Sequence, residues 1–117
     1  MNMESNIAVN GLAFGQALEA IKQGKLVARE GWNGKNMFLF GRDGATVVLD
    51  MVKTLPATVK KYYEDKEIYE AYFTPYICMK TADDSIVNGW LASQTDMTAT
   101  DWVILKYNKK AYIKLFI

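Results

Sequence analysis

Between Phe14 and Gln23, apolar residues recur at every third or fourth position, with polar residues between them. This period matches an α-helix with one buried face. Gly24 follows directly, and glycine commonly ends a helix because it accepts a positive φ. The pattern therefore predicts a helix of about three turns, which must pack on a sheet to be stable.

Short apolar runs bounded by glycine, aspartate and serine follow this helix and predict a series of strands. The predicted strands, with the third either a strand or an extended connection, are 25–29, 37–40, 46–49, 76–81, 86–87 and 102–105. One helical turn is predicted over 98–101.

The segment 56–73 has a different pattern, in which tyrosines and aliphatic residues alternate with charges of both signs. It begins at Pro56, and proline favours the first turn of a helix. The pattern predicts one helix, or a helical insertion, with an aromatic stripe. Packing within the fold explains such a stripe most simply, and a contact between protomers or a lid is the alternative.

The predicted order of elements contains no repeated βαβ unit. It favours an α+β fold: a small single domain with a mostly antiparallel sheet, the N-terminal helix packed on it, and a helical insertion. We expect residues 1–117 to form one domain, in which 1–11 are a flexible leader. Asn108 and Lys109 could turn a hairpin back on the last strand.

Composition narrows the possible functions. The 117 residues have a net charge of +1, so no broad electrostatic field attracts nucleic acid or an anionic membrane. The absence of histidine excludes histidine-dependent catalysis, and the lone cysteine, Cys78, excludes a cysteine-rich zinc site. The sequence shows no membrane-spanning run and no signal-peptide pattern. We expect a cytoplasmic protein without metal or cofactor, in which Cys78 packs as a small hydrophobic residue.

Two stretches combine glycine with tryptophan. Trp32 lies between two glycines in the loop that joins the first two predicted strands, and Trp90 begins a run of amides and hydroxyls that ends at Asp96. A lone tryptophan usually belongs to the core, but its wide π-face also suits stacking on a planar ligand. The second stretch, with its polar side chains, favours the ligand interpretation.

Four blocks of this chain resemble the Thoeris anti-defence 2 family of small phage and prophage proteins. The blocks are residues 14–20, 28–35 with 37–39, 75–83, and 89–97 with 101–102. The resemblance covers about 14–105 and is specific because the blocks occur in the right order. It does not assign the middle segment 42–73, and it leaves 106–117 as a C-terminal extension.

The resemblance implies a sponge for a signalling molecule, not an enzyme. Family members form homo-oligomers, typically tetramers, and sequester a glycocyclic ADP-ribose made by a bacterial Toll/interleukin-receptor-domain protein. Holding this ligand keeps the Thoeris effector inactive in the cytoplasm of the infected host. The implied partners are the cyclic ADP-ribose-type nucleotide and further copies of the chain, without nucleic acid, membrane or cofactor.

The resemblance and the chemistry of such a ligand together indicate its contacts. Aromatic rings stack on a purine, amides and carboxylates bind ribose hydroxyls, and guanidinium or hydroxyl groups bind a diphosphate. The residues expected to bind the ligand are Arg29, Trp32, Asn33, Phe38, Asn88, Trp90, Ser93, Gln94, Thr95 and Asp96. A pocket shared between protomers is expected, because one small domain offers little concave volume.

Several of these residues also have simpler explanations. Trp90 and Trp102 could be purely core residues, and Asp96 could cap a short helical turn. Arg29 and Glu30 could form a surface pair of little energetic value.

Two other function classes stay open from the residues alone. A hydrolase would need a pair of carboxylates with separated pKa values. Its candidate acids are Glu30, Asp83, Asp84, Asp96 and Asp101. An interaction module or minor phage structural protein would use the aromatic stripe and the apolar tail.

Overall fold

The structure, a computed structural model, describes residues 6–32 and 35–106. Its helices are α1 (Phe14–Lys22), α2 (Ala57–Asp65) and α3 (Gln94–Thr98), with a 3-10 turn at Leu49–Met51. Its strands are β1 (Ile7–Leu12), β2 (Val27–Arg29), β3 (Phe38–Arg42), β4 (Ala45–Val48), β5 (Glu70–Phe73), β6 (Tyr76–Lys80), β7 (Ile86–Asn88) and β8 (Trp102–Leu105).

Six strands form the main sheet, in the order β1-β8-β2-β3-β6-β7. The pairs β1–β8, β8–β2, β2–β3 and β6–β7 are antiparallel. A separate antiparallel pair joins β4 to β5. These elements confirm the predicted α+β fold with a mostly antiparallel sheet.

Helix α1 covers one face of the main sheet. It buries Ala17, Ala20 and Ile21 in a cluster that also contains Leu39 and Trp102. Gly24 ends the helix as predicted: its φ is +85°, and its N–H donates to the carbonyl of Ile21 at 2.9 Å. Strand β8 pairs on both edges, which explains why the sequence 102–105 is apolar throughout.

Among the described residues, two compact units separate, one formed by 6–41 and 77–106 and the other by 42–76. The smaller unit contains the β4–β5 pair, the 3-10 turn and α2. Leu49, at 4 % exposure, is its buried hydrophobic residue, and α2 buries none. Most residues of the smaller unit are therefore exposed.

The single helix proposed for 56–73 is wrong in its second half. Helix α2 ends at Asp65, and the N–H groups of Lys66 and Ile68 both donate to the carbonyl of Tyr63. Glu67 has a φ of 57°, so the chain turns there and continues into β5. Residues 70–73 pair with β4 and do not continue the helix, although the tyrosines have helical spacing. Local periodicity does not reveal pairing with a strand that is distant in the sequence.

Two other boundaries differ from the prediction. Residues 7–11, predicted as part of a flexible leader, belong instead to the edge strand β1 (Ile7–Leu12) beside β8. The helical turn predicted at 98–101 lies earlier, at Gln94–Thr98, because Ser93 caps it. The predicted hairpin at Asn108 and Lys109 and most of the extension lie outside the described residues.

Two features are absent from residues 6–32 and 35–106. These residues contain no helix long and apolar enough to cross a membrane. Nor do they contain a cluster of three or more histidine, cysteine or acidic residues that could hold a metal ion. Cys78 is fully buried, which confirms the predicted packing role.

Candidate functional site

The loop that carries Trp32 begins at the end of β2 and is tied there to Asp101. The N–H of Glu30 donates to the carbonyl of Asp101 at 3.1 Å, and the N–H of Gly31 donates to its carboxylate at 2.8 Å. Asp101 precedes β8, which pairs with β2. The sheet register therefore sets the position of the loop entrance.

Arg29 links this loop entrance to α3. Its Nε donates to Asp101 Oδ1 and its Nη1 to Asp96 Oδ1, both at 2.9 Å. The side chains of Arg29 and Asp96 are only 13 % and 12 % exposed. Two charge-assisted hydrogen bonds at low exposure make this a rigid cluster and not a surface pair with Glu30.

The ionisation of the cluster follows from these bonds. The hydrogen bonds to Asp101 and Asp96 raise the pKa of Arg29. The hydrogen bond from Arg29 holds the pKa of Asp101 below its usual value. Burial pushes the pKa of Asp96 upward, but hydrogen bonds from Arg29, Ser93 and Trp32 outweigh burial and lower it. All three groups are therefore charged near neutral pH, with a formal sum of −1.

Asp96 is also the structural centre of α3. Ser93 Oγ accepts from the Asp96 N–H at 3.0 Å, and the Ser93 N–H donates back to Asp96 Oδ2 at 3.1 Å. This reciprocal pair is a capping box. The sequence makes Asp96 a candidate cap of this helical turn. It does take part in the cap, but Ser93 is the N-cap residue and Asp96 is its partner at the third helical position.

Three tryptophans meet at this cluster. Trp102 is fully buried, and its indole N–H donates to the backbone carbonyl of Asp96 at 3.0 Å. The indole N–H of Trp32 donates to Asp96 Oδ1 at 3.2 Å. Trp32 and Trp90 pack edge-on against Trp102, with ring centroids 5.5 and 6.3 Å away, and lie 6.4 Å from each other. Trp32 and Trp90 are half-buried, whereas Trp102 is fully buried.

Comparison with known proteins decides the family. A family model described as a Thoeris anti-defense 2-like domain matches residues 12–105. The chain belongs to this family. It is also 42 % identical over 94 residues to a protein of Bacillus phage SP01 named Thoeris anti-defense 2. That alignment covers 80 % of this chain and 94 % of the phage protein.

The Thoeris anti-defense 2-like domain contains every predicted ligand residue, and the structure brings about half of them together. We call the group formed by the three tryptophans, Arg29, Ser93, Asp96 and Asp101 the tryptophan cluster. It joins the end of β2 and the start of β8 to the segment before α3. Its predicted members are Arg29, Trp32, Trp90, Ser93 and Asp96. Gln94 and Thr95 follow in α3 with exposed side chains, and Asn33 lies outside the described residues.

Phe38 and Asn88 lie on the other face of the sheet. Side chains alternate along a strand, and Leu39 and Met79 point into the core beneath α1. Phe38 therefore faces away from α1, where its ring is 6.3 Å from Phe40. Asn88 accepts a hydrogen bond from Cys78 on that same face, at 3.5 Å.

Two polar residues of this arrangement escaped sequence reasoning. The sequence pattern marks Asp101 only as a candidate acid and as the end of a helical turn, and it marks Lys80 only as a strand residue. Asp101 anchors Gly31 and Arg29, and Lys80 contacts the far end of the same loop. The available signal was the charge of Asp101 directly before the buried Trp102, which indicates an ion pair near the core.

A groove of about 540 Å³ lies elsewhere in the larger unit. It is lined by residues of β1, the approach to β2 and the end of β8. Its lining includes Lys25, Leu26 and Lys106 but none of the predicted ligand residues. The tryptophan cluster is at the opposite end of β8.

Proposed function

We propose that this chain counters the Thoeris defence by binding and sequestering a cyclic ADP-ribose-type nucleotide in the host cytoplasm, without cleaving it. Membership of the Thoeris anti-defense 2-like family supports the anti-Thoeris role. The tryptophan cluster supports nucleotide binding. Sequestration needs tight binding and slow release and requires no chemical step.

The observation that carries the proposal is the pair of half-buried rings, Trp32 and Trp90. Trp102 packs edge-on against both rings, and Asp96 accepts a hydrogen bond from the indole N–H of Trp32. A ring that is already immobile loses little entropy when a purine stacks on it. Stacking of a base on an aromatic side chain contributes roughly 1–3 kcal/mol per base.

The charge of the Arg29 environment argues against Arg29 as the diphosphate contact. The Arg29 guanidinium already donates to two carboxylates, and the cluster of Arg29, Asp96 and Asp101 is formally negative. A diphosphate is repelled from such a cluster. In the proposed complex these three residues support the tryptophans from behind, while exposed residues such as Gln94 and Thr95 contact the ligand.

The proposed binding unit is a homo-oligomer, in the form of a tetramer, with the pocket shared between protomers. Leu91 follows Trp90 and is 90 % exposed, and Met97 of α3 is 41 % exposed. Apolar side chains this exposed beside a ligand site suit coverage by another protein surface. A second copy of the chain supplies that surface in the proposed assembly.

Retention of intact ligand tests the proposal. The protein is mixed with glycocyclic ADP-ribose isomers, separated from free ligand and heat-denatured, and the released nucleotide is identified by mass spectrometry. The proposal expects the unchanged nucleotide. A chemically altered product would favour the carboxylate hydrolase instead, and absence of retained nucleotide would contradict sequestration.

The Trp32→Ala variant refines this experiment. We expect it to lose retention of the nucleotide, because one stacking wall is gone, while the oligomer measured by light scattering is unchanged. Tyr69→Ala is the matched control, since Tyr69 is an aromatic residue 61 % exposed in the smaller unit. Equal retention by both variants would show that Trp32 does not contact the ligand.

A protein-interaction function has one supporting observation. In the smaller unit several large hydrophobic side chains are more than a third exposed: Val48, Met51, Val59, Tyr62, Ile68, Tyr69, Tyr72 and Phe73. Such a surface suits a protein partner. A specific partner captured by this chain, combined with no ligand-induced shift in melting temperature, would favour this second function.

A further inference from the structure

The Trp32 loop is anchored at both ends. Asp101 holds its entrance at Gly31, as described above. At its exit, the carbonyl oxygen of Asn36 accepts a hydrogen bond from Lys80 Nζ at 2.7 Å. Lys80 is the last residue of β6 and is 44 positions away from Asn36 in sequence. The exit contact is therefore purely tertiary.

Asn36 has a backbone conformation that needs support. Its φ is 60°, in the left-handed region that residues with a Cβ seldom adopt, although asparagine tolerates it better than most. A residue in this conformation keeps it only when the surroundings fix it. The ammonium group on its carbonyl oxygen is such a fixed contact.

The Lys80 ammonium has three neighbours in the structure. Besides Asn36, it contacts Asp84 Oδ1 at 2.7 Å and lies 5.7 Å from the centre of the Phe38 ring. The Lys80 side chain is only 17 % exposed, whereas that of Asp84 is 83 % exposed. An ammonium group has three donors, and the Asn36 carbonyl and the Asp84 carboxylate take two of them. Lys80 is thus built into the structure and is not a free cation waiting for a phosphate.

We propose that Lys80 is a positioning residue: it holds the exit of the Trp32 loop and so keeps the Trp32 ring oriented for its ligand. The part of this inference that concerns ligand rests on the proposed function. The part that concerns the loop does not. Loss of Lys80 frees the exit while Asp101 still holds the entrance, so bound ligand escapes faster although Trp32 itself is unchanged.

The test compares Lys80→Met with Asp84→Asn. Lys80→Met keeps a long aliphatic side chain but removes the donor to Asn36. Asp84→Asn weakens the exposed ion pair and leaves that donor in place. The ligand-free readouts are the indole ¹H–¹⁵N signals of the tryptophans and amide hydrogen exchange over residues 35–38.

In Lys80→Met we expect a shifted or broadened Trp32 indole signal and about tenfold faster exchange at 35–38, because a locally opened loop exchanges faster. The Trp102 signal should be unchanged, since its indole N–H donates to the buried carbonyl of Asp96. Asp84→Asn should resemble the native protein. Lys80→Arg, which keeps a charged donor, should restore both signals. If Lys80→Met does not fold, Lys80→Gln is measured in its place.

With glycocyclic ADP-ribose as probe, Lys80→Met should raise the dissociation rate about tenfold and change the association rate little. An unchanged Trp32 signal and unchanged exchange in Lys80→Met would overturn the proposal. Lost binding with unchanged loop signals would also overturn it, because Lys80 would then contact the ligand directly. If the native protein retains no nucleotide, the proposed function fails, and the ligand-free measurements still decide the role of Lys80.

Discussion

The tryptophan cluster and the smaller unit both contain several aromatic residues, yet they use them in opposite ways. In the cluster, the indole N–H groups of Trp32 and Trp102 donate to Asp96, and Trp102 is fully buried. In the smaller unit, Tyr62 is 54 % exposed and packs against Tyr63 and the Lys66 ammonium. Aromatic content alone therefore does not produce a rigid site; buried hydrogen-bond partners do.

The largest expected effect comes from Asp96→Ala. The change leaves Arg29 without one of its two carboxylates and removes the acceptor of the Trp32 indole N–H. Removing one partner of a buried ion pair typically costs about 3–5 kcal/mol of the free energy of unfolding. Urea denaturation measures this loss.

Asp65→Ala is the control from the smaller unit. Asp65 pairs with Lys61 at 2.9 Å, but both side chains are more than 60 % exposed. Such a pair contributes less than about 1 kcal/mol. Equal losses of unfolding free energy in Asp96→Ala and Asp65→Ala would contradict the proposed difference between the two regions.

An intermediate effect is expected on acidification. Asp96 and Asp101 have pKa values below the usual 3.8 in the folded protein. The unfolded chain therefore binds more protons in that range, so the stabilisation is complete above about pH 4 and is lost as the pH falls through the folded pKa values. Unfolding free energies measured from pH 6 to 2.5 should show this decline.

The Asp96→Asn variant measures how much Asp96 contributes to the loss of stability in acid. Its stability should fall less steeply below pH 4 than that of the native protein. Asp83 needs its own control, because hydrogen bonds from Thr81 and Ser85 lower its pKa to about 2. If Asp83→Asn, and not Asp96→Asn, flattens the acid response, the cluster is not its source.

The smallest expected effect is the loss of stability when alanine replaces a glycine, and it should differ between Gly31 and Gly44. A Cβ at Gly31 would lie 2.6 Å from Asp101 Oδ2, and Arg29 holds that carboxylate in place. A Cβ at Gly44 would meet the hydroxyl end of Tyr72, a side chain that is 61 % exposed and able to move. We expect Gly31→Ala to cost about 1–2 kcal/mol, within the range for overpacking.

Gly44→Ala should cost less than Gly31→Ala, and thermal unfolding of both variants measures the difference. A larger loss at Gly44 would show that the smaller unit is the more rigid of the two regions. The same Gly31→Ala protein should also bind the proposed nucleotide less well, since its loop entrance is displaced.

Sequence reasoning succeeded where structure is local. The spacing of apolar residues located α1, Gly24 located its end, and the apolar run at 102–105 located β8. It failed at Tyr69 and Tyr72, where pairing of β5 with β4 replaced the expected helix. It also could not separate Phe38 from Trp32, because the face to which a side chain points depends on register.

The sequence by itself determined the family, the α+β class and the two glycine–tryptophan stretches that the family match contains. Only the tertiary structure decided what Arg29 and Asp96 contact, since Arg29 bonds to Asp96 and to Asp101 across 67 and 72 positions of the chain. Composition and spacing show which groups are available, but a buried charge is satisfied by whichever groups the fold brings within hydrogen-bond distance. In this protein those groups join Arg29 to Asp96, and Asp96 to the indole N–H of Trp32.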